Sequence, residues 1–386
     1  MGDACTLAAR HARCGPVLTP PPPPALVRPS PTPELLGMTH DELTRHLVSL
    51  DLPASQAGAV FGHLHRWGRP LLTVPRLSAR QVQRLQETTQ DTVCEVVTEA
   101  SALAQDGVER DETEKLVFRL VDGRRVEGVI IPEGERSTFC VSSQVGCAMA
   151  CTFCATARLG LARPLTPAEI VKQVYHARDR AEKAGRPLRN VVFMGMGEPL
   201  HHYENTRAAI DILTCRWGLS LGFPKITIST VGLVPRIAQL GADFGGRLQL
   251  ALSLNAGTDE TRRRIMPITE KWNLESLKEA LRAYPTRRNR FHLLEYVVLP
   301  GVNDDDENLD GVAAFTRGLP AVVNLIPWNP FAGAPFQPPT FEDVGRIFDR
   351  LRARGVHVSV RLPRGRPMSA ACGQLALQTS AMEAQF

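Results

Sequence analysis

The 386-residue sequence predicts an α/β protein: a partial βα barrel, preceded by a small N-terminal helical domain and a β extension. Three observations predict it. Apolar strand-like runs recur beyond Ser137, at Phe139–Val145, Val191–Met196, Lys225–Val231, Leu248–Leu254, Leu293–Leu299, Val322–Trp328 and Val356–Val360. Helical segments lie between most of them, the rhythm of parallel strands wound by helices. The chain is also long enough for one large domain with smaller appendages. Finally, 43% hydrophobic and 22% charged residues describe a soluble globular protein. No apolar run approaches the roughly 20 residues a membrane span needs.

Taken in order, residues 1–33 form a proline-rich tail with a polyproline run from Pro20 to Pro24, unsuited to a helix or sheet interior. Residues 34–91 read as the helical domain. Thr39-His-Asp-Glu42 and Ser78-Ala-Arg-Gln81 are capping boxes, and Arg66, Arg69, Arg76 and Arg80 give the module a basic character suited to RNA or to a solvated surface. Residues 92–136 read as strands, with Asp122-Gly123 as a hairpin turn between Val117–Val121 and Val126–Ile131. Residues 137–376 are the barrel core with a C-terminal catalytic loop, and 377–386 a tail. The clearest barrel helix opens at Thr166-Pro-Ala-Glu169, a capping box with proline at the first helical position.

Nine cysteines, an odd number spread over a long chain, do not make the dense framework of a disulfide-stapled secreted domain. Without a compact apolar leader, the expected compartment is the reducing cytoplasm. The net charge of +5 permits an RNA partner without requiring one.

Three of the cysteines sit in the run Cys147-Ala-Met-Ala-Cys151-Thr-Phe-Cys154. Thiolates at this spacing can hold three irons of a 4Fe-4S cluster and leave the fourth open to a small molecule. A zinc site wants four nitrogen or sulfur ligands, often from paired C-x2-C units. No second C-x2-C exists here, and no histidine lies close to the triplet. The triplet follows the first barrel strand and Gly195-Met-Gly-Glu198 follows the second, the strand ends where barrels place their chemistry.

The triplet resembles the signature of radical S-adenosylmethionine (SAM) enzymes. With Cys140-Val-Ser-Ser-Gln-Val-Gly-Cys147, Gly195-Met-Gly-Glu-Pro199, Val323-Asn-Leu-Ile-Pro-Trp-Asn-Pro330 and Ser369-Ala-Ala-Cys-Gly-Gln-Leu375, it resembles the RlmN/Cfr family of RNA adenine methyltransferases. The match runs from about Glu127 to Leu375. The resemblance implies a radical SAM barrel, a 4Fe-4S cluster on Cys147, Cys151 and Cys154, and two SAM per turnover. It makes Cys372 the methyl carrier, since a soft thiolate accepts a methyl group from SAM by direct displacement. Cys140 becomes the partner that releases the methylated base by attacking the Cys372 sulfur, which leaves a disulfide for the cell to reduce. Glu127 matches the base that takes the proton from the ring carbon.

Gly197 and Glu198 match the contact to the SAM amino group, where a glycine lets the backbone approach and a carboxylate suits an ammonium. Ser229, the segment Ser253, Leu254 and Asn255, and Asn329 match further SAM contacts. The family usually has histidine where this chain has Asn255, Thr-Gly where it has Thr156-Ala157, and a different start where it has Pro53-Ala-Ser-Gln56. The implied partners are RNA, namely 23S rRNA and in some members tRNA, and an electron donor such as a flavodoxin-type reductant, with no membrane. The implied product is adenosine methylated at C2 for RlmN-like members and at C8 for Cfr-like members. The Gly-Met-Gly-Glu-Pro and Pro-Trp-Asn-Pro-Phe strings favour C2. A radical SAM enzyme acting on another substrate is the remaining alternative.

Three basic clusters complete the reading: Arg262-Arg-Arg264, Arg287-Arg288 with Arg290, and Arg361, Arg364 and Arg366. Such clusters are usually solvated faces, but the last lies just before Cys372, where an RNA backbone would have to pass.

Overall fold

The computed structural model describes residues 32–66, 68, 74, 77–90, 92, 94–101, 112–361, 364–365 and 369–376. The proline-rich run up to Pro31, Arg69, Arg76, Arg366 and the tail 377–386 lie outside the described residues.

The N-terminal segment folds into three helices, α1 (His40–Ser49), α2 (Ala57–His65) and α3 (Ala79–Thr88). The side chains of Thr39 and Ser78 each cap the backbone three residues on, and Glu42 and Gln81 bond back to the cap residues. These reciprocal bonds satisfy amides that a helix start otherwise leaves open. Gln90 N–H donates to Pro33 O at 3.0 Å and so ties the two ends of the segment together. Arg66 is spent on the protein itself, donating to the carbonyls of Gly218 and Arg216.

Four antiparallel strands follow: β1 (Cys94–Ser101), β2 (Glu114–Leu120), β3 (Arg125–Glu133) and β4 (Arg136–Cys140). The β extension is therefore continuous with the barrel sheet through the pairing of β3 with β4. Asp122, in the expected hairpin turn, is buried beneath Arg124 and Arg163, each 2.7 Å away. Arg163 also reaches Glu169 at 2.8 Å, which fastens the turn to the start of the first barrel helix.

The run expected as one strand over Phe139–Val145 divides. After β4 the chain leaves the sheet, forms β5 (Gln144–Gly146), carries the cysteine triplet and α4 (Ala155–Arg158), and returns as β6 (Leu161–Pro164) against β5. The divergence is set by the second barrel strand, whose trailing loop takes the edge of Val141–Gln144: Gly195 N–H donates to Val141 O, and Ser143 and Gln144 N–H to Met196 O. Gly146, at φ +78°, is required where a Cβ would lie 1.8 Å from Gly160 O.

The winding then proceeds through α5 (Pro167–Lys183), β7 (Leu188–Phe193), α6 (Tyr203–Thr214), β8 (Ile226–Thr230), α7 (Val234–Phe244) and β9 (Gln249–Ser253). It continues through α8 (Asp259–Ile265), α9 (Leu274–Ala283), β10 (His292–Val298), α10 (Asp306–Thr316), β11 (Ala321–Pro327), α11 (Phe341–Ala353) and β12 (Val358–Val360). Strands β4 and β7 to β12 are mutually parallel, in spatial order of sequence. Among the described residues β1 and β12 are the free edges, so the barrel is partial.

Alternation along the strands separates two faces. On β10, Leu294, Tyr296 and Val298 are fully buried beneath the helices, while Leu293 and Val297 on the other face are half-buried. Thr227 and Ser229 on β8 and Asn324 on β11 are half-buried in the same way. The core thus lies between sheet and helices, and the inner face of the barrel mixes polar with apolar residues and is partly open. No helix among the described residues is long and apolar enough to cross a membrane.

Candidate active site

One cavity opens at the C-terminal ends of the parallel strands. Cys147, Cys151, Cys154 and Cys372 all line it, although more than two hundred residues separate the triplet from Cys372. Gly197, Glu198, Ser229, Ser253, Asn255 and Asn329 line it as well.

The triplet loop is held by backbone bonds, Cys147 N–H to Gly160 O at 2.9 Å and Thr152 N–H to Ile265 O at 3.0 Å. Burial pushes the Cys147 thiol up to about 12, with Glu198 and Cys154 adding to it against the Met149 amide. It pushes Cys151 well above its ordinary value, where the other two sulfurs add to the effect. Cys154 is raised by burial as well, against the opening amides of α4. Three sulfurs, two of them in buried residues, that disfavour one another's ionisation suit a cationic iron centre, which would stabilise all three as thiolates. Among the described residues no three His, Cys, Asp or Glu side chains converge closely enough to hold a single metal ion. All three thiols line the one cavity, where they would hold a cluster between them.

The Cys372 loop is fixed over the triplet from several sides. Ala155 N–H donates to Gly373 O at 2.8 Å, and Thr156 Oγ1 donates to Leu375 O at 2.5 Å. Asn329 Nδ2 donates to Cys372 O at 3.2 Å, and Gln374 Nε2 to Pro330 O at 2.8 Å. Trp328, also in the cavity wall, donates from Nε1 to Phe153 O at 3.0 Å. Ala157 lies in α4, where helical backbone makes no demand for glycine.

Glu198 is 3% exposed, with Oε1 accepting from Leu200 N–H and Oε2 from Val231 N–H. Burial pushes its carboxyl up to about 7, against the Val231 and Leu200 amides and the Thr230 hydroxyl. Gln144, also buried, accepts from Glu198 N–H at 2.9 Å and directs its own amide nitrogen at His201 and His202. Gly197 has φ +103°, and a Cβ there would meet Gln144 at 2.5 Å. A carboxyl that ionises less readily folded than unfolded weakens the fold as pH rises from the ordinary value of 4.5 through about 7. Glu198→Gln removes that titration. Denaturant melts of the cluster-free variant at pH 6 and pH 8 are expected to differ by roughly 1 kcal/mol less than those of the parent. Equal pH dependence in both proteins would contradict the assignment.

The other expected residues divide. Asn255, at φ +58°, lines the cavity, but its amide is engaged, with Oδ1 accepting from Val297 N–H at 2.8 Å and Nδ2 facing Met266 Sδ at 3.2 Å. Leu254 is buried in the core, its N–H donating to Glu295 O and its carbonyl accepting from Arg262 Nε. Cys140 is buried at the end of β4 and raised to about 12 by burial, with Cys372 adding and Arg361 opposing. Glu127 is 1% exposed on β3, with Lys115 Nζ on β2 at 3.1 Å from Oε1. Pairing of Val129 with both Lys115 and Cys140 puts Lys115, Glu127 and Cys140 on one face of the sheet.

Two members of the basic clusters turn inward. Arg262 is fully buried, while Arg263 and Arg264 are exposed. Arg361 lies in the cavity wall with Nη1 at 3.2 Å from Met194 Sδ, while Arg364 is exposed. Sequence reasoning did not single out Gln144, Lys115 or Glu295. For Lys115 the available signal was its phase with Val117 on a strand that pairs with the Glu127 strand.

Comparison with known proteins agrees with this geometry. The Radical SAM superfamily model matches residues 141–310. The dual-specificity RNA methyltransferase RlmN of Anaeromyxobacter sp. (strain Fw109-5) is 42% identical over 364 residues, covering 91% of this chain and 92% of the relative. RlmN 2 of Myxococcus xanthus (strain DK1622) is 46% identical over 274 residues, covering 69% of this chain and 71% of the relative. A crystal structure of a radical SAM methyltransferase from Sphaerobacter thermophilus superposes with a TM-score of 0.81 at 39% identity, covering 89% of this chain and 99% of that one. With this identity spread over nearly the whole of both chains, and the cysteine triplet and Cys372 on one cavity, the chain belongs to the RlmN family of radical SAM proteins.

Proposed function

We propose that the protein methylates C2 of an adenosine in RNA, 23S rRNA and also tRNA, through a methyl group carried on Cys372. The observation that carries the reading is the fixed placement of the Cys372 loop over the triplet, in a cavity both share. A thiol that served only packing would not need a loop tethered twice to the segment that follows the triplet and twice to the Asn329–Pro330 segment. The dual-specificity names of the relatives support two RNA substrates for this chain as well.

Cys147, Cys151 and Cys154 would hold a 4Fe-4S cluster, and Gly197, Glu198, Ser229, Ser253, Asn255 and Asn329 would surround SAM. When bound, the pair supplies a methyl group in one half-reaction and a hydrogen-abstracting radical in the other. Cys372 accepts the methyl group at its sulfur. Glu127, held by Lys115, takes the ring-carbon proton, and Cys140 attacks the Cys372 sulfur to free the base. Each turnover would use two SAM and leave a Cys140–Cys372 disulfide, reduced afterwards in the cytoplasm, and a flavodoxin-type donor would supply the electrons.

The test is anaerobic incubation of the iron-loaded protein with SAM, a reductant and separate rRNA and tRNA fragments, followed by mass spectrometry of the nucleosides. 2-Methyladenosine in both RNAs is expected. Finding 8-methyladenosine alone would overturn the C2 assignment, and finding no methylated adenosine would overturn the reading as a whole.

A further inference from the structure

Glu295 is a buried carboxylate in the cavity wall with one oxygen that the protein leaves without a hydrogen-bond partner. It lies on β10 and is 5% exposed. Its Oε1 accepts from Asn324 Nδ2 at 3.2 Å, whereas its Oε2 is buried and accepts no hydrogen bond. Asn324 is fixed in turn by the Ser359 hydroxyl, which donates to Asn324 Oδ1. Strand register sets Glu295 level with Ser253 on one side and Asn324 on the other. A buried carboxylate oxygen without a donor is costly, and natural interiors rarely keep one without a use. The donor must come from whatever enters the cavity.

We propose that Glu295 receives the exocyclic amine of the substrate base and thereby selects adenine. This rests on the reading of the protein as an adenosine methyltransferase. Two entering molecules carry suitable donors, the amine of the substrate and the ribose hydroxyls of SAM. The surroundings favour the amine. Arg361 lies in the same wall, and Glu295, Cys372 and Cys140 all act on its charge. The acceptor therefore stands on the side of the cavity where the carrier thiol must meet the base. A carboxylate here attracts a 6-amino group and repels the 6-oxo group of guanine, so a single contact both anchors the ring and discriminates between purines. Asn324 is the positioning residue that leaves Oε2 free.

The test compares iron-loaded parent, Glu295→Ala and Glu295→Gln on two RNA fragments. One carries adenosine at the target, the other purine riboside, which lacks the amine. Rates of methylation and SAM affinity by equilibrium binding are both read. The parent is expected to prefer adenosine by roughly a hundredfold or more. Glu295→Ala is expected to lose that preference by slowing on adenosine alone, with SAM affinity unchanged. Glu295→Gln, which keeps the side-chain volume and covers the case of a misfolded alanine variant, is expected to lose most of the preference too. Preference retained in a folded variant overturns the proposal. So does a fall in SAM affinity with preference intact, which assigns the oxygen to a cofactor hydroxyl. If the parent methylates neither RNA, the underlying function fails and the Glu295 assignment fails with it, a result distinct from any variant effect.

Discussion

Replacing Cys372 with alanine is expected to abolish methylation of RNA, by at least roughly a thousandfold, while iron content and SAM affinity stay near those of the parent. The loss is expected because the proposed mechanism makes the Cys372 sulfur the methyl carrier, and no other described cysteine besides the triplet lines the cavity. The retention is expected because the loop is tied down chiefly by the backbone carbonyls of Cys372, Gly373 and Leu375, which alanine preserves. Cys140→Ala separates the two thiols. It leaves Cys372 able to accept a methyl group and bond to the base, but removes the thiol that releases the product. A covalent protein–RNA adduct through Cys372 is therefore expected, visible on a denaturing gel. Unimpaired methylation by Cys372→Ala would remove the carrier mechanism.

The fold was legible because its signals are local. Strand runs and capping boxes each occupy a few consecutive residues, and the structure places helices behind Thr39, Ser78 and Thr166 as their boxes imply. The triplet was legible for the same reason, since its ligands lie within eight residues. Cys372 and Cys140 carry no local signal and entered through resemblance. Only the wound chain brings Cys372 over α4, through contacts between residues about 220 apart such as Thr156 with Leu375. Glu295 and Lys115 were missed because a polar residue in a strand faces solvent or the sheet's inner side according to register, and register is not written in the strand's own sequence.

The arginine clusters show the limit in the other direction. Three consecutive arginines suggest a solvated surface, yet successive residues on a helix point about 100° apart, so a run of three cannot share one face. Ile265, three residues after Arg262 and buried, marks the inward stripe of α8. Helical phase counted from Ile265 would have placed Arg262 inside.

Arg262 also carries the largest expected loss of stability. Its guanidinium donates to Leu254 O, Ser253 O, Val231 O and Thr269 Oγ1 at 2.7 to 3.0 Å. Those carbonyls close the strands that bear Ser229 and Ser253 and the loop that leads to Asn255, so one side chain ties β8 to β9 beneath the cavity. Burial lowers its pKa to about 10, with Cys151 and Asp259 opposing, so it remains charged at neutral pH. Arg262→Met fills much of the volume but strands several buried acceptors, and is expected to cost about 3–5 kcal/mol. Arg263→Ala, one residue along the chain, removes only an exposed ion pair with Glu270 and is expected to cost less than about 1 kcal/mol. Urea melts of the two variants make the comparison. SAM affinity should fall with Arg262→Met alone, because the loosened strand ends carry Ser229 and Ser253, which the proposal sets around SAM. Equal melting midpoints for the two variants would show that the strand ends hold without the buried guanidinium.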